Sequence, residues 1–264
     1  MSNPPLLSSV DPRGVANVVL NRPEVGNAYN GELIGALLTA LASLSGQAGL
    51  RALLLTGNGR HFQAGADLKW VRALAGGTLA DNVEASRATA AAVDRLNRLP
   101  IPTVALVQGG CFGGGTGLVA ACDIVIAAED AVFSIAEVRW GLTAAIIIPQ
   151  LSDAIGVRQL RRYALTGERF GAAEAVRIGL AHKLVPRAEL AAAGQAVIAD
   201  LIGNGPEAMA ETKAVALNSA WGGFGPETLE ALALGHAQKR RSAEASEGLA
   251  SFVEKRAARW ASPA

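Results

Sequence analysis

Short runs of consecutive apolar residues alternate along this chain with segments in which apolar positions recur every three or four residues. The runs cover residues 15–20, 52–55, 103–107 and 124–127. The helical spacing is clearest over residues 33–44, where it stops near Gly46, and over 81–99, which Pro100 and Pro102 terminate. Uninterrupted apolar runs of this length are typical of buried strands. Strands that alternate with helices predict an α/β fold.

Beyond residue 187 the pattern becomes helical and rich in alanine. Gly225, Pro226 and Glu227 predict the start of a helix, because proline suits the first helical position and an acid stabilises the helix N-terminus. We expect the last helix to reach Trp260. The sequence therefore predicts an α/β core over residues 1–195 and a C-terminal helical region over 196–264 that serves packing or oligomerisation.

Composition narrows the classes of partner. Half of the 264 residues are hydrophobic, and 24 Lys and Arg against 23 Asp and Glu give a net charge of +1. This balance argues against binding to nucleic acid or to a membrane surface, which requires a basic excess. The N-terminal residues lack the pattern of a secretory signal, and no apolar run approaches the roughly 20 residues of a membrane span. We expect a soluble cytoplasmic protein.

Several catalytic chemistries have no sequence support. The chain contains none of the motifs GxxxxGK[ST], GxGxxG or GxSxG, so it lacks a phosphate loop, a dinucleotide fingerprint and a nucleophile elbow. His61, His182 and His236 are far apart, and none lies in an HExxH motif. Cys111 and Cys122 have neither disulfide-framework nor metal-ligand spacing, which fits a reducing compartment and predicts no metal site.

Two glycine-rich turns remain, at residues 59–70 and 111–118. Each stands where a strand gives way to a helix, so that unpaired backbone N–H groups can point at a ligand. Two such donors on one oxygen would form an oxyanion hole, in which each stabilises a transition state by about 3–4 kcal/mol. Tight packing of helix on sheet is the alternative explanation for the glycines.

A set of motifs resembles the enoyl-CoA hydratase/isomerase (crotonase) superfamily, in matching order from about residue 13 to 258. They are NRPE at 21–24 with NA at 27–28, AGADLK at 64–69, VQG at 107–109 before GGG at 113–115, ACDI at 121–124, FSIAE at 133–137 before GL at 141–142, LTGE at 165–168 before AEA at 173–175 and GL at 179–180, and FVEKR at 252–256. Each motif alone is weak, but seven in this order are specific.

The resemblance implies a crotonase-like spiral of ββα units, a C-terminal helical region that forms trimers or dimers of trimers, and an acyl-CoA thioester as substrate. Coenzyme A is then part of the substrate, and no separate cofactor is expected. The backbone N–H groups of Ala66 and Gly114 are expected to hold the thioester oxygen. Residues expected along the coenzyme A moiety are Ala28, Ala64, Asp67, Leu68 and Lys69. Lys255 is either a further contact to the coenzyme A phosphates or a solvated surface lysine.

The acids of the site leave two activities open. Hydratases that this chain resembles typically carry one glutamate two residues after the triple glycine and a second about twenty residues later. Gly117 occupies the first position, which removes an acid and leaves room, and Glu137 occupies the second. A glutamate buried in an apolar pocket has a raised pKa and can exchange protons near neutral pH. A single acid favours a Δ3,Δ2-enoyl-CoA isomerase.

The local sequence around these residues favours a hydratase instead. ADLKW at 66–70, FGGG at 112–115, GLVAACD at 117–123, EVR at 137–139 and RRY at 161–163 are similar to bacterial 3-methylglutaconyl-CoA and isohexenylglutaconyl-CoA hydratases of leucine and acyclic terpene degradation. In such a hydro-lyase Glu137 would activate water, and the source of the second proton stays open. A non-catalytic RNA-binding or scaffold role is the remote alternative.

Candidates for the acyl pocket rest on the same resemblance. They are Trp70, Gly117, Trp140 and Ile146, the last within the apolar segment 143–148, for which core packing is the alternative. A glutaconyl substrate carries a second carboxylate, which needs a cation or a hydrogen-bond donor. Arg139 and Arg158 are candidates for that contact, and a structural ion pair is the alternative for each.

Overall fold

The computed structural model describes residues 3–222, 235 and 242–261. The described residues contain a six-stranded sheet with the strand order β1-β2-β3-β4-β6-β9 and a three-stranded sheet with the order β5-β7-β8. The strands are β1 Leu6–Val10, β2 Val15–Leu20, β3 Ala52–Gly57, β4 Thr103–Val107, β5 Gly110–Phe112, β6 Ile124–Ala128, β7 Val132–Ser134, β8 Phe170–Gly171 and β9 Lys183–Val185. β1 runs antiparallel to β2, and the pairs from β2 through β9 in the larger sheet are parallel.

Helices connect and cover these strands. They are α1 Gly31–Ser45, α2 Leu68–Ala75, α3 Leu79–Asn97, α4 Gly114–Ala120, α5 Ile148–Thr166, α6 Ala172–Ile178, α7 Leu190–Ile202, α8 Pro206–Gly222 and α9 Ala243–Glu254. Short 3-10 helices form at Pro23–Val25, Glu137–Trp140, Ala145–Ile147, Arg187–Glu189 and Arg259–Ala261. The predicted α/β class is confirmed.

The apolar runs became strands because both faces of the larger sheet are covered. One face packs against α1 and α3, and Leu53 and Leu55 of β3 lie in that core. The other face packs against α7, and Leu54 of β3 lies there with Val104 of β4. Parallel strands that are buried on both sides need apolar residues at consecutive positions, which explains runs without alternation.

The C-terminal part differs from the expectation in two respects. The boundary expected after residue 195 falls inside α7, whose buried Leu190, Ala193 and Ile198 belong to the core of the sheet. The change from core to helical extension therefore comes after α7. The final helix does not reach Trp260: α9 ends at Glu254, because Lys255 adopts a left-handed conformation with φ 54°. The helix start predicted at 225–227 lies outside the described residues.

Three further observations concern membrane-spanning helices, metal-binding clusters and cysteines. Within the described ranges, no helix combines the length and the apolar character that crossing a membrane requires. The same ranges hold no cluster of three or more His, Cys, Asp or Glu side chains placed to bind a metal ion. Cys111 and Cys122 are buried free thiols.

Candidate active site

The two glycine-rich turns lie side by side. The main chain of residues 62–63 runs parallel to that of 108–112, and three hydrogen bonds join them. Phe62 N donates to Gln108 O at 2.8 Å, Gln63 N donates to Gly110 O at 3.1 Å, and Phe112 N donates to Gln63 O at 2.9 Å. Gly115 packs so closely on Gln63 that an added methyl group would lie 2.9 Å from the Gln63 carbonyl oxygen.

Tyr29 holds the first turn in a fixed path. Tyr29 N donates to Gly65 O at 2.9 Å, and Asp67 N donates to Tyr29 O at 2.8 Å. The N–H of Ala66 lies between these two bonds and donates to no acceptor among the described residues. Gly65 has a φ of 91°, a conformation that favours glycine. The first predicted amide of the oxyanion hole is therefore available to a ligand.

The second turn presents an equally free amide. Gly113 N donates to Ser134 O at 2.9 Å, and Gly113 O accepts from Thr116 N at 2.9 Å. Gly113 has φ 51° and ψ −120°, which side chains rarely tolerate. The N–H of Gly114, at the start of α4, has no acceptor among the described residues. Unpaired amides on adjacent turns are the kind of donor from which an oxyanion hole is built.

Glu137 places its carboxyl group against the same turn. It begins the 3-10 helix Glu137–Trp140, and a methyl group on Gly113 would lie 2.7 Å from Glu137 Oε1. Glu137 Oε2 is buried and has no hydrogen-bond partner. Burial raises the pKa of Glu137, because the charged form loses hydration, and its backbone hydrogen bond only partly offsets this loss. The group is thus suited to exchange protons close to Gly113 and Gly114.

Tyr29 is a site residue that the sequence reasoning missed. Its ring lies on Gly114, where an added methyl group would be 2.5 Å from Tyr29 Cε1, and it meets Trp70 edge-on with ring centroids 5.8 Å apart. Burial, and secondarily the charge of Glu137, raises the pKa of Tyr29 to about 12. Its position directly after Asn27 and Ala28 was the only signal, and that motif identifies the loop without revealing where the ring points.

The room expected beside Gly117 is filled. A methyl group on Gly117 would lie 2.2 Å from Ile147 Cγ2 and 2.7 Å from Ile147 Cβ. Ile147 is buried in the 3-10 helix Ala145–Ile147, whereas its predicted neighbour Ile146 is only partly buried. The missing carboxyl group is thus replaced by an aliphatic side chain from another part of the chain, and the expectation of an open space is wrong.

Gly117→Ala should destabilise the fold by about 1–3 kcal/mol, because inserting a methyl group into a packed core forces its neighbours to shift. Gly35→Ala is the matched control, since Gly35 lies on the exposed side of α1 with nothing within 4 Å. That control should stabilise the protein by up to about 1 kcal/mol through helix propensity. Urea unfolding measures both changes, and equal stability of the two variants would contradict the close packing of Ile147.

The residues expected along coenzyme A line the loop before α2 and its first turn. Asp67 caps α2 by accepting from Lys69 N at 3.0 Å and pairs with Arg22 at 3.1 Å. Burial alone would raise the pKa of Asp67, but the Arg22 hydrogen bond and the backbone donors outweigh it and lower the pKa. Asp67 therefore shapes the loop. Leu68 and Lys69 are exposed, and the remaining two residues, Ala28 and Ala64, are buried and partly buried.

Lys255 lies just after α9 with an exposed side chain, and no described hydrogen bond or ion pair links it to the loop of residues 64–69.

Two of the histidines are structural. His61 Nδ1 accepts from Gly110 N at 2.8 Å, and His182 Nδ1 accepts from Val125 N at 3.0 Å.

The predicted acyl-pocket residues are dispersed. Trp70 is near the oxyanion amides through Tyr29, but Trp140 is 69% exposed. The structure adds a small apolar cavity of about 30 Å³ between α1, α3 and Gly114. Its lining comprises Leu20, Tyr29, Leu33, Ile34, Leu37, Gln63, Thr89, Ala92, Val93, Gly114 and Leu118. Those of the lining residues that lie in α1 and α3 gave helical spacing in the sequence, which does not distinguish a cavity wall from a filled core.

The arginines considered for a substrate carboxylate form no ion pair within the described ranges. Neither Arg139 nor Arg158 forms an ion pair there, so the structural pairing considered for them is not found. Arg139 packs on Gly167, where an added methyl group would lie 2.9 Å from its Nε. Arg169 places its guanidinium 5.4 Å from the ring centroid of Phe112, the residue before Gly113.

This fold and arrangement define a known class of enzyme. Residues 11–263 match the enoyl-CoA hydratase/isomerase family, and the chain belongs to it. The crotonase-like fold is confirmed by similarity to the crystal structure of an enoyl-CoA hydratase from Shewanella pealeana, with a TM-score of 0.93, 37% identity and coverage of 97% of this chain and 96% of that one.

Two curated relatives illustrate the range of reactions in the family. A hydroxycinnamoyl-CoA hydratase-lyase from Pseudomonas fluorescens is 36% identical over 180 residues, which cover 67% of this chain and 65% of that protein. A mitochondrial Δ(3,5)-Δ(2,4)-dienoyl-CoA isomerase from Dictyostelium discoideum is 29% identical over 260 residues, which cover 95% of this chain and 88% of that protein. Hydration and isomerisation both occur among its relatives.

Proposed function

We propose that this enzyme is a hydratase that adds water across the 2,3 double bond of a branched, carboxylated enoyl-CoA. The observation that carries the proposal is the position of Glu137 Oε1, directly against Gly113 and beside the free amide of Gly114. A base next to an oxyanion hole can activate a nucleophile while the hole stabilises the negative charge that develops on the thioester oxygen.

In the proposed reaction each group has one task. The amides of Ala66 and Gly114 donate hydrogen bonds to the thioester oxygen. These hydrogen bonds strengthen as that oxygen becomes an enolate oxygen. Glu137 takes a proton from water, whose oxygen then adds to the β carbon. The raised pKa of Glu137 favours this exchange near neutral pH, because a base is most effective when its pKa approaches the working pH.

The substrate proposal rests on the sequence similarity to glutaconyl-type hydratases and on three features of the site. Arg139 and Arg169 have no ion-pair partner among the described residues and lie near Glu137 and Phe112, so either could meet a distal carboxylate. The apolar cavity beside Gly114 is small, with a volume of about 30 Å³. It suits a methyl branch better than an isohexenyl chain and favours 3-methylglutaconyl-CoA over isohexenylglutaconyl-CoA.

A Δ3,Δ2-enoyl-CoA isomerase is the second candidate, and one observation favours it. Ile147 fills the space beside Gly117, so no carboxyl group occupies that position. Moving a double bond needs only one group that removes and returns a proton, and Glu137 alone could do this.

We also propose that the chain assembles as a trimer or a dimer of trimers. Apolar side chains are exposed just after Glu137, in Val138, Trp140, Leu142 and Ile148. A cluster of this kind is typical of a protein interface. Lys255 would then reach the coenzyme A phosphates of the same or a neighbouring subunit.

Product mass distinguishes the two activities. The protein is incubated separately with 3-methylglutaconyl-CoA, isohexenylglutaconyl-CoA and a 3-enoyl-CoA. The hydratase proposal expects one glutaconyl ester to gain the mass of one water molecule, the 3-methyl ester fastest. Conversion of the 3-enoyl ester to a product of equal mass, without water addition to either glutaconyl ester, would establish the isomerase instead.

A further inference from the structure

Tyr29 contacts both turns that carry the free amides. Its ring lies on Gly114, where an added methyl group would be 2.5 Å from Cε1 and 3.1 Å from Cζ, the carbon that bears the hydroxyl group. Its main chain brackets Ala66 through the bonds to Gly65 and Asp67. No described residue forms a hydrogen bond with the Tyr29 hydroxyl group, whereas the phenol of Tyr163 donates to Glu174.

The carboxyl group of Glu137 and the ring of Tyr29 pack on adjacent glycines. Glu137 packs on Gly113 and Tyr29 packs on Gly114, and consecutive Cα atoms are about 3.8 Å apart. The charge of Glu137 adds to the effect of burial in raising the pKa of Tyr29. The apolar lining of the cavity beside Tyr29 brings in no other ionisable side chain.

Hydration requires a donor that returns a proton to the α carbon. Water loses one proton to Glu137, and the α carbon must gain one. The position after the triple glycine offers only Gly117, and Ile147 blocks the space beside it. The donor is therefore Glu137 itself after it has taken the proton from water, a side chain from elsewhere in the chain, or solvent.

We propose that Tyr29 is the donor and that its hydroxyl proton passes to the α carbon. This proposal rests on the hydratase function proposed above. Glu137 removes a proton from water, and the water oxygen forms a bond to the β carbon while the π electrons shift towards the thioester. The enolate then takes the proton of the Tyr29 hydroxyl group, and a C–H bond forms at the α carbon. Protonated Glu137 returns its proton to the phenolate. One water molecule is added, and both side chains are restored.

The acidities suit this order of steps. With a pKa of about 12, Tyr29 is protonated at neutral pH and available as a donor. Glu137 has a raised pKa but remains the stronger acid, so proton transfer from it to the phenolate is downhill. The same burial that raises both values keeps bulk water from competing for the enolate.

The test uses the fact that the chain has two tyrosines. Tyr29→Phe keeps the ring over Gly114 and removes only the hydroxyl group, so kcat for hydration should fall about 10²–10⁴-fold with little change in KM. Tyr163→Phe is the matched control. Its hydroxyl group bonds Glu174 and its ring packs on Phe170, away from the two turns, so its kcat should stay at the wild-type value.

A second measurement separates proton donation from a structural role. In the Tyr163→Phe background Tyr29 is the remaining tyrosine, so biosynthetic incorporation of tetrafluorotyrosine alters this residue alone. Fluorination lowers the phenol pKa, and hydration should then be lost as pH rises through the lowered value. The unlabelled Tyr163→Phe protein should show no such descending limb over the same range.

The outcomes separate the two proposals. A wild-type enzyme that adds water while Tyr29→Phe loses less than about tenfold in kcat overturns the role of Tyr29 and leaves the hydratase intact. An unchanged pH profile after fluorination also overturns the role of Tyr29, even if Tyr29→Phe folds poorly. A wild-type enzyme that adds no water to any ester removes the hydratase proposal, and the acid role of Tyr29 in hydration with it.

Discussion

Glu137→Gln should lower kcat about 10²–10⁴-fold and leave the binding of the coenzyme A ester nearly unchanged. The amide keeps the size and position of the side chain over Gly113, but it cannot accept a proton from water. Steady-state kinetics and titration of a non-reactive acyl-CoA measure the two effects. Glu189→Gln is the control, because Glu189 is exposed at the start of α7, on the other face of the sheet from α1 and α3.

The same variant should be more stable than the wild type at pH 7. The folded pKa of Glu137 lies above its ordinary value of 4.5, so the folded state binds the proton more tightly than the unfolded state. The wild type therefore loses stability as pH rises from about 4.5 through the folded pKa. The neutral amide lacks this penalty, and melting temperatures of the two proteins should converge below pH 4.5. A variant that is inactive and less stable at pH 7 would contradict the unpaired burial of the carboxyl group.

Gly113→Ala should lower kcat/KM by at least about 100-fold, because two effects act on the catalytic geometry. The added methyl group would lie 2.7 Å from Glu137 Oε1 and push the base away. The backbone at φ 51° and ψ −120° would also relax, which moves the adjacent amide of Gly114. A misplacement of about 1 Å is enough for a loss of this size.

Gly156→Ala separates backbone strain from displacement of the base. Gly156 interrupts α5 with φ 71° and ψ 150°, is exposed, and has nothing within 4 Å of an added methyl group. This variant should lose about 1–3 kcal/mol of stability and retain its turnover. Thermal melts and kinetics on both variants compare them directly. Wild-type turnover in Gly113→Ala would contradict the close approach of Glu137.

The sequence alone predicted the framework well. The strands at residues 15–20 and 103–107 were predicted with the bounds that the structure shows, because consecutive apolar residues are what a sheet covered on both faces requires. The predicted stop near Gly46 agrees with the structure, in which α1 ends at Ser45. The helix begins after Asn30, whose side chain accepts from Leu33 N and caps it. The boundary predicted after residue 195 lies inside α7, because the sequence pattern of α7 indicates a helix but not the surface that it covers.

The residues of the candidate site also fall into two groups, those that local motifs predicted and those that only the structure revealed. The amides of Ala66 and Gly114 and the carboxyl group of Glu137 could be chosen from motifs, because each belongs to a short segment with a recognisable local order. Ile147 and Tyr29 could not be chosen in this way. Both act on glycines that lie far from them along the chain, Gly117 and Gly114, and nothing in their own neighbourhoods indicates the contact.

The sequence by itself determined the α/β framework, the two turns with exposed backbone donors and the presence of one acid where two are usual. Only the tertiary structure decided that Ile147 closes the gap beside Gly117 and that the phenol of Tyr29 lies on Gly114. The physical reason is that hydrogen bonding and periodicity are local, whereas the contents of a pocket depend on which distant side chains the packing of the sheet and its helices brings together.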